Sequence, residues 1–198
     1  MQSLGEAGIS TVCLGKSDES RINAGFAEVV REFGRIDVLA NEAGYGPYGA
    51  IQAIPMDVRR RQFEVNVFGA TRMAQLVMPS MRERISGTIV DISSVSRCMA
   101  GPVRAWNHGT KFALEAVSDR LRVEVKPFGI GVVVIEPDAI RTEFAEVAVD
   151  ALRAASGSGR YGPLAKAIIK SMANEDLERR KSPPTATADA IHRAIIAR

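Results

Sequence analysis

Asn107 and Lys111 are two residues whose types and spacing could do chemistry together. They are four residues apart in a segment with helical periodicity, so both side chains would lie on one face of a helix and point into the same cleft. The lysine ammonium donates hydrogen bonds, and the asparagine carboxamide has two N–H donors and one acceptor. The pair can therefore polarise a carbonyl oxygen, but the carboxamide has no proton that it can release near neutral pH.

The elements that would position this pair follow an alternation of short apolar runs and longer helical segments, which is typical of a parallel sheet with crossover helices. The apolar runs predict four strands: Ile9–Leu14, Ile36–Asn41, Thr88–Ser93 and Gly131–Glu136. The periodic segments predict three helices: one capped by Ser17 or Asp18 and ended by Gly34, one over Asp57–Glu83 that Pro79 bends, and one over Ala105–Lys126. Residues 144–198 predict a less regular, partly helical region, with a flexible loop at Ala154–Pro163. We therefore expect a single α/β domain over residues 1–198.

The composition is that of an ordinary globular protein: 46% of the residues are hydrophobic, 25% are charged, and the formal net charge is +3. Because the charges are interspersed, no nucleic-acid partner is expected. Cys13 and Cys98 are far apart in sequence and lack metal-binding spacing, so we expect neither a disulfide framework nor a bound metal. The first residues lack the basic and apolar regions of a secretory signal, and no apolar run is long enough to span a membrane. These features predict a cytoplasmic protein without a membrane partner.

Five short motifs occur in a fixed order along the chain: Asn41-Glu42-Ala43-Gly44, Val65-Asn66, Ile92-Ser93-Ser94, Asn107-His108-Gly109-Thr110-Lys111 and the segment from Pro137 to Thr142. In this order they resemble the motifs of the short-chain dehydrogenase/reductase family, and the resemblance extends from about Ser10 to Phe144. The spacing from Ser94 to position 107, and from there to Lys111, matches the Ser and Tyr-x-x-x-Lys arrangement of that family. The resemblance implies a Rossmann-like parallel sheet with flanking helices. It also implies an NAD- or NADP-dependent oxidoreductase that interconverts hydroxyl and carbonyl groups.

The resemblance assigns catalytic roles to four positions. It implies that Ser94 polarises the substrate oxygen, that Lys111 holds the nicotinamide ribose and lowers the pKa of the family's tyrosine, and that Asn66 anchors a water in a proton relay. The tyrosine position is Asn107 here, and general acid/base catalysis contributes about 10²–10⁴-fold to a rate. We therefore expect an impaired or inactive enzyme. His108 lies about 100° around the helix from position 107 and is expected to be a packing or surface residue rather than a replacement acid.

For the cofactor, NAD or NADP, the resemblance implies contacts from Asn41, Ala43, Gly44, Lys111, Pro137, Ile140 and Thr142. Three departures from the family pattern predict that this binding is weak or lost. No glycine-rich phosphate loop precedes the motifs. Gly15-Lys16 stands where an aspartate would meet the adenine ring, and Glu42 places a carboxylate where the pyrophosphate would approach.

In the family's sheet, the run Ile9–Leu14 corresponds to the third strand and Ile36–Asn41 to the fourth, and the two strands that would lie between them are missing. We expect a domain shortened at both ends, without the family's first two strands and its last strand. Ile9–Leu14 should then pair directly beside Ile36–Asn41 or remain a poorly held edge. The resemblance also implies a small alcohol or carbonyl substrate, and a homo-oligomer that associates through helices 57–83 and 105–126.

Three interpretations of the function remain open. The chain is a dehydrogenase-like oxidoreductase with impaired or lost activity, a non-catalytic dimerisation or interaction module, or a fragment of a longer active dehydrogenase. The departures fall on independent parts of the catalytic domain, namely the acid, the phosphate loop and the missing strands. Such a pattern favours decay or truncation over the gain of a new activity.

Overall fold

The computed structural model describes residues 4, 6–97 and 101–196, so Cys98 lies outside the described residues. The described chain forms a parallel sheet with flanking helices, which confirms the predicted α/β class. The strands are β1 (Val38–Asn41), β2 (Gly87–Ile92) and β3 (Ile130–Ile135). The helices are α1 (Glu19–Phe33), α2 (Met56–Phe63), α3 (Gly69–Glu83), α4 (Ala105–Val125), α5 (Phe144–Ser156), α6 (Gly162–Met172), α7 (Glu175–Arg180) and α8 (Pro184–Ile196).

The sheet has the order β1-β2-β3, and both pairings are parallel. Asn41 at the end of β1 pairs in register with Asp91, and Ile92 at the end of β2 pairs with Ile135. Every residue of β2 is buried, as expected for the middle strand of a parallel sheet covered by helices. The polar residues at the carboxyl ends of the strands therefore meet at one edge, where parallel sheets bind ligands. Among the described residues the sheet is open on both sides, consistent with an incomplete fold.

The hydrophobic core lies between this sheet and the helices that connect its strands. Aliphatic side chains of β1, β2 and β3 pack against α3 and α4, and Phe26 of α1 packs against the same cluster. The buried members of the cluster are Leu39, Ala74, Val77, Met81, Ile89, Val125, Ile130 and Val132. Burial of such side chains is worth about 1.5–3 kcal/mol each, so this cluster fixes the position of α4 and of the residues that it carries.

Of the two candidate cap residues, Ser17 and Asp18, it is Asp18 that caps helix α1. The carboxylate of Asp18 accepts hydrogen bonds from the backbone N–H groups of Ser20 at 2.9 Å and Arg21 at 3.4 Å, so the helix starts here rather than at Ser17. The helix ends at Gly34, whose φ of 78° lies in a region that favours glycine.

The segment Ile9–Leu14 was expected either to pair beside β1 or to remain a poorly held edge; it is not a strand, so the first alternative is wrong, and the segment lies outside the sheet. In the described part of the chain the sheet stops at β1, and residues 9–14 form an irregular segment. The side chains of Val12 and Leu14 lie against α1, where a Cβ built on Gly25 would be 3.5 Å from Val12 Cγ1 and 3.2 Å from Leu14 Cδ1. A β-strand needs a hydrogen-bonded neighbour, and without one Val12 and Leu14 are half-buried against a helix while Ile9 is exposed.

The predicted helix Asp57–Glu83 is interrupted by a π-helical turn over Glu64–Phe68. In this turn the N–H of Gly69 donates to the carbonyl of Glu64, five residues earlier. π-Turns of this kind are rare and occur frequently at functional sites. The interruption separates α2 from α3, and it contains the buried Asn66.

The region after Pro137 is more regular than its sequence predicts. The expected flexible loop Ala154–Pro163 contains the end of α5, a 3₁₀ turn over Gly159–Tyr161 and the start of α6. Ala148 and Leu152 are buried at a spacing of four residues. They form a second apolar cluster with side chains from the loop after β1 and from α6. The small residues Ala148, Ser156 and Ala165 are buried in this helix pair, and composition alone did not distinguish it from a loop. Within the described residues, no helix is both long and apolar enough to cross a membrane.

Candidate active site

Lys111 projects from α4 toward the carboxyl end of the sheet. Its Nζ donates a 2.7 Å hydrogen bond to the backbone carbonyl of Ile92, the last residue of β2. The pKa of Lys111 is lowered from 10.5 to about 8, mainly by burial and then by the charge of Lys16, while the carboxylates of Asp91 and Glu115 act in the opposite direction. A substantial fraction of Lys111 is therefore uncharged at mildly alkaline pH.

Lys16 enters the same edge of the sheet from the segment that precedes α1. Its Nζ lies 3.2 Å from Oδ1 of Asn41, the last residue of β1. Its backbone crosses α3 at Gly69, where an added Cβ would be 2.4 Å from the Lys16 carbonyl oxygen. Burial lowers the pKa of Lys16, and the charge of Asp91 partly offsets this effect. The glycine at position 69 thus lets Lys16 reach the site.

A buried hydrogen-bond network links the strands beneath these two lysines. Asn41 Nδ2 donates to Asp91 Oδ1 at 2.9 Å and to the carbonyl of Ala70 at 3.2 Å. The other carboxylate oxygen, Asp91 Oδ2, accepts from the hydroxyl of Ser118 on α4 at 2.8 Å. Because Asp91 is 4% exposed, its charge is held by these donors and by the nearby lysines.

Asn66 connects the π-helical turn to the loop after β1 and to α4. Its Oδ1 accepts from the backbone N–H of Tyr45, and its Nδ2 donates to the Tyr45 carbonyl, both at 2.8 Å. The same Nδ2 lies 3.1 Å from Oγ1 of Thr110. These bonds fix the loop that follows β1 against the helix that carries positions 107 and 111. Asn66 therefore joins the π-helical turn, the loop after β1 and α4 by side-chain hydrogen bonds.

Asn107 lies on α4 one turn before Lys111, as its position in the sequence requires. A Cβ built on Gly46 would be 2.3 Å from Asn107 Nδ2, so the carboxamide packs directly against the backbone of the loop after β1. The ring of Phe144, at the start of α5, approaches the same position to 3.2 Å. The Asn107 side chain is thus enclosed between this loop and α5.

Ser94 lies in the turn after β2, and its Oγ accepts a 3.2 Å hydrogen bond from the backbone N–H of Ser96. The next residue, Val95, donates its backbone N–H to the carbonyl of Pro137 at 3.2 Å. This bond joins the turn after β2 to the segment after β3. Ser94 and Lys111 are therefore anchored to the same strand end, since Lys111 binds the carbonyl two residues before Ser94.

The segment from Pro137 to Thr142 is held by the distant part of the chain. Ser182 donates to the carbonyl of Ala139 and accepts from the N–H of Arg141, both at 2.9 Å, and Ile140 forms a bridge with Ser182. Thr142 is exposed, and its Oγ1 lies 3.4 Å from the N–H of Phe144 at the start of α5. These residues form a wall at the end of β3.

The remaining positions differ in exposure. Ala43 and Gly44 are exposed in the loop after β1, and a Cβ on Gly44 would come no closer than 3.9 Å to another atom, the Glu42 carbonyl oxygen. Their surroundings are open. His108 is 7% exposed and belongs to the packed interior of α4, in keeping with the packing role expected for it. No group of three or more His, Cys, Asp or Glu side chains in the described part of the chain is placed to hold a metal ion.

Two contributors to the site, Lys16 and Thr110, were not among the residues predicted from the sequence. Thr110 stands inside the motif that ends at Lys111, and its position three residues after Asn107 and one before Lys111 was the available signal. Lys16 follows an apolar run that resembled a strand, and a cation directly after such a run indicates a residue at the ligand-binding edge. Its contact with Asn41 depends on the tertiary path of the segment, which the sequence pattern did not predict.

Sequence comparison identifies the family of the chain. The family model of the short chain dehydrogenases matches residues 1–152. Dehydrogenase/reductase SDR family member 7B of Mus musculus is 39% identical over 150 residues, which are 76% of this chain and 45% of that protein. The uncharacterized oxidoreductase YusZ of Bacillus subtilis is 37% identical over 134 residues, 68% of this chain and 48% of that protein.

Comparison with solved structures gives the same family of folds. A short-chain dehydrogenase from Streptomyces avermitilis superposes with a TM-score of 0.69 at 29% identity, covering 96% of this chain and 79% of that one. The fold of an NAD⁺-bound xylitol dehydrogenase matches with a TM-score of 0.79 at 24% identity, covering 98% of this chain and 76% of that one. The chain spans about half the length of the curated relatives that it matches. On its sequence motifs, its parallel sheet and these matches, the chain belongs to the short-chain dehydrogenase/reductase family.

Proposed function

We propose that this chain carries the family's reaction, NAD(P)-dependent interconversion of a hydroxyl and a carbonyl group, in an impaired or inactive form. The observation that supports the proposal is the Asn107 carboxamide, one helical turn before Lys111 and packed against Gly46. A carboxamide offers N–H donors but no titratable proton near neutral pH. The group that should give a proton to the alkoxide is therefore missing.

The other roles in the reaction, namely binding the substrate oxygen, holding the cofactor and positioning the loop after β1, are assigned to individual residues. Ser94 and the N–H groups of Asn107 would bind the substrate oxygen, and Lys111 would hold the ribose of the cofactor. Asn66 positions the loop after β1 through its two bonds to Tyr45. The nicotinamide cofactor, when bound, would supply or accept the hydride. Proton transfer would fall to bulk water, so we expect turnover about 10²–10⁴-fold below that of a site with an acid.

Binding of NAD or NADP is proposed to be weak or lost. On the nicotinamide side, Lys111, Pro137, Ile140 and Thr142 surround the ends of β2 and β3 and would hold the cofactor. On the diphosphate side, Asn41, Ala43 and Gly44 would be the contacts. The exposed Glu42 carboxylate beside them opposes an anionic ligand. Within the described residues, no strand precedes β1 that could present phosphate-binding amides at a helix N-terminus.

A substitution that restores the acid tests this proposal. Asn107→Tyr should raise NADPH- or NADH-dependent reduction of carbonyl probes such as benzaldehyde and 2,3-butanedione by about 10²-fold or more over the original chain. Asn107→Phe is the matched control, because it adds the ring without the hydroxyl, and it should give no increase. Circular dichroism melting of both variants checks that the larger ring is accommodated. Fluorescence titration with NADH and NADPH shows whether each variant binds the cofactor. Equal rates for Tyr and Phe variants that bind it, or efficient turnover by the original chain, would contradict the proposal.

A second candidate function is a dimerisation module that uses α3 and α4, and the surface of these helices favours it. An open groove of about 400 Å³ runs between them, lined by mainly apolar residues that include Ala74, Met78 and Leu121. Beside it, Phe112 and Val123 of α4 are exposed by 49% and 63%. Exposed apolar patches of this kind mark association surfaces.

Light scattering coupled to size-exclusion chromatography would test the association. The chain should elute at twice its monomer mass of 21.3 kDa. Ala116→Arg, in the middle of the exposed face of α4, should reduce the mass to that of a monomer, whereas Ala154→Arg on α5 should leave it unchanged. A monomeric original chain would exclude this second function without affecting the first.

A further inference from the structure

Two ammonium groups lie at the carboxyl ends of adjacent strands. Lys16 Nζ binds the side-chain oxygen of Asn41 at the end of β1, and Lys111 Nζ binds the carbonyl of Ile92 at the end of β2. Asn41 pairs in register with Asp91, the residue before Ile92, so the two acceptors lie at adjacent strand ends. The mutual repulsion of the charges is one reason why the pKa of Lys111 is lowered.

Both ammonium groups are bound by uncharged oxygens. In the described part of the chain neither lysine forms an ion pair with a carboxylate, and the groups that influence them electrostatically are Asp91 and, for Lys111, Glu115. The Asp91 oxygens accept hydrogen bonds from Asn41 and Ser118. Glu115 lies 3.8 Å from the guanidinium of Arg97. Each ammonium therefore has donor capacity left for an anion.

We propose that Lys16 and Lys111 together bind the phosphate group of a small molecule at the carboxyl end of β1 and β2. A dianionic phosphate placed between them would replace a repulsion by two charge-assisted hydrogen bonds, and these bonds must outweigh the opposing carboxylates of Asp91 and of the exposed Glu42. The position agrees with the rule that parallel sheets bind ligands outside the carboxyl ends of their strands. This proposal goes beyond the function proposed above, because it requires neither hydride transfer nor a glycine-rich loop.

Lys16 is brought to this site by the segment that precedes α1. Lys16 reaches Asn41 because its backbone crosses α3 at Gly69. The cation thus comes from a part of the chain that takes no place in the sheet. Its ammonium could take over the anion-binding role that backbone amides of a phosphate loop would otherwise fill.

Isothermal titration calorimetry with inorganic phosphate at pH 7.5 tests the proposal directly. Lys16→Gln and Lys111→Gln should each weaken phosphate binding by about tenfold, because each removes a charge-assisted bond. Lys16→Arg should retain binding, since it keeps the charge. Lys126→Gln, at an exposed lysine after α4, is the matched control and should bind as the original chain does. Sodium chloride keeps the ionic strength, and therefore the charge screening, the same in every titration.

The pH dependence provides a second measurement that needs no variant. With Lys111 titrating near pH 8, phosphate affinity should fall about eightfold between pH 7.5 and pH 9, a range in which phosphate itself stays mainly dianionic. Nicotinamide mononucleotide in place of inorganic phosphate distinguishes the source of the phosphate. Tighter binding of the nucleotide indicates a phosphate ester as the ligand, and equal binding indicates free phosphate.

Two results would overturn the proposal. One is phosphate affinity that Lys16→Gln and Lys126→Gln change to the same extent, and the other is no measurable phosphate heat at pH 7.5. If Lys111→Gln melts below the titration temperature, the Lys16 variants and the pH series still decide the question. Neither result bears on the Asn107→Tyr experiment, so the two proposals fail independently.

Discussion

Two segments border the site and are held in opposite ways. Ser93–Arg97, which carries Ser94, follows the central strand and is tied by backbone bonds, among them Ser93 N–H to the Ile135 carbonyl at 2.8 Å. The front segment, Ile9–Lys16, takes no part in the sheet and rests on α1 and α3 through side chains and one close approach at Gly69. The first segment is held by backbone hydrogen bonds that continue the sheet, and the second is held by side-chain contacts with two helices.

The difference shows which parts of the site depend on the whole fold and which on local contacts. Lys111, Asn66 and Asn107 are placed by elements that pack on the core cluster, so disturbing them requires disturbing the sheet. Lys16 depends on a few contacts and can be displaced alone. Substitutions next to the core cluster should therefore lower the global free energy of unfolding, and substitutions in the front segment should have smaller, local effects.

The largest expected loss of stability is at Asp91, on the central strand β2. Asp91→Ala removes a buried carboxylate that accepts from Asn41 and Ser118 and offsets the charge of the two lysines. We expect the free energy of unfolding in urea to fall by about 3 kcal/mol, because buried donors and cations lose their partner. Asp119→Ala, at an exposed aspartate of α4 paired with Arg122, should change it by less than about 0.5 kcal/mol. Similar losses in the two variants would show that the Asp91 network does not stabilise the sheet.

The next effect is expected where the front segment crosses α3. A Cβ on Gly69 would be 2.4 Å from the Lys16 carbonyl oxygen, so Gly69→Ala should displace the segment and lower stability by about 1–2 kcal/mol. Amide hydrogen exchange should become faster in residues 12–16 and stay unchanged in β2. Gly109→Ala is the control, because its Cβ would be 3.8 Å from the nearest atom, the Phe63 ring, and alanine is the better helix former. Unchanged exchange at residues 12–16 would mean that this contact does not hold the segment.

The same division explains what the sequence could predict. The three sheet strands and the helix carrying Asn107 and Lys111 follow from apolar periodicity and cap residues, which are local signals. The front segment has the apolar alternation of a strand, but whether it becomes one depends on a partner strand, which is not a local property. For the same reason Lys16 was missed, since only tertiary structure brings it to Asn41. The helices after Pro137 were missed because alanine, glycine and serine suit both loops and close-packed helices.

A smaller effect is expected at the start of α1, which anchors the front segment. Asp18→Ala removes the carboxylate that accepts from the N–H groups of Ser20 and Arg21. Hydrogen exchange of these two amides should accelerate about fivefold, while β2 amides stay protected. Ser17→Ala is the matched control, because Ser17 was the alternative cap, and it should leave their exchange unchanged. If amide protection were lost across the whole chain in Asp18→Ala, the front segment would unfold together with the core rather than separately.

The smallest expected effect measures the electrostatic link between the two regions. Because the pKa of Lys111 is lowered from 10.5 to about 8, the unfolded chain binds more protons than the folded one between these values, and stability should rise with pH across that window. With solvent screening we expect a few tenths of a kcal/mol per pH unit, obtained as the difference between urea unfolding of the original chain and of Lys111→Gln. The same difference measured between Lys16→Gln and the double variant Lys16→Gln/Lys111→Gln should be smaller, since the Lys16 charge is the second cause of the lowered Lys111 pKa and removing it lets that pKa rise toward its ordinary value. An equal difference with and without Lys16 would mean that burial alone sets the Lys111 pKa and that the front segment acts on the site through packing only.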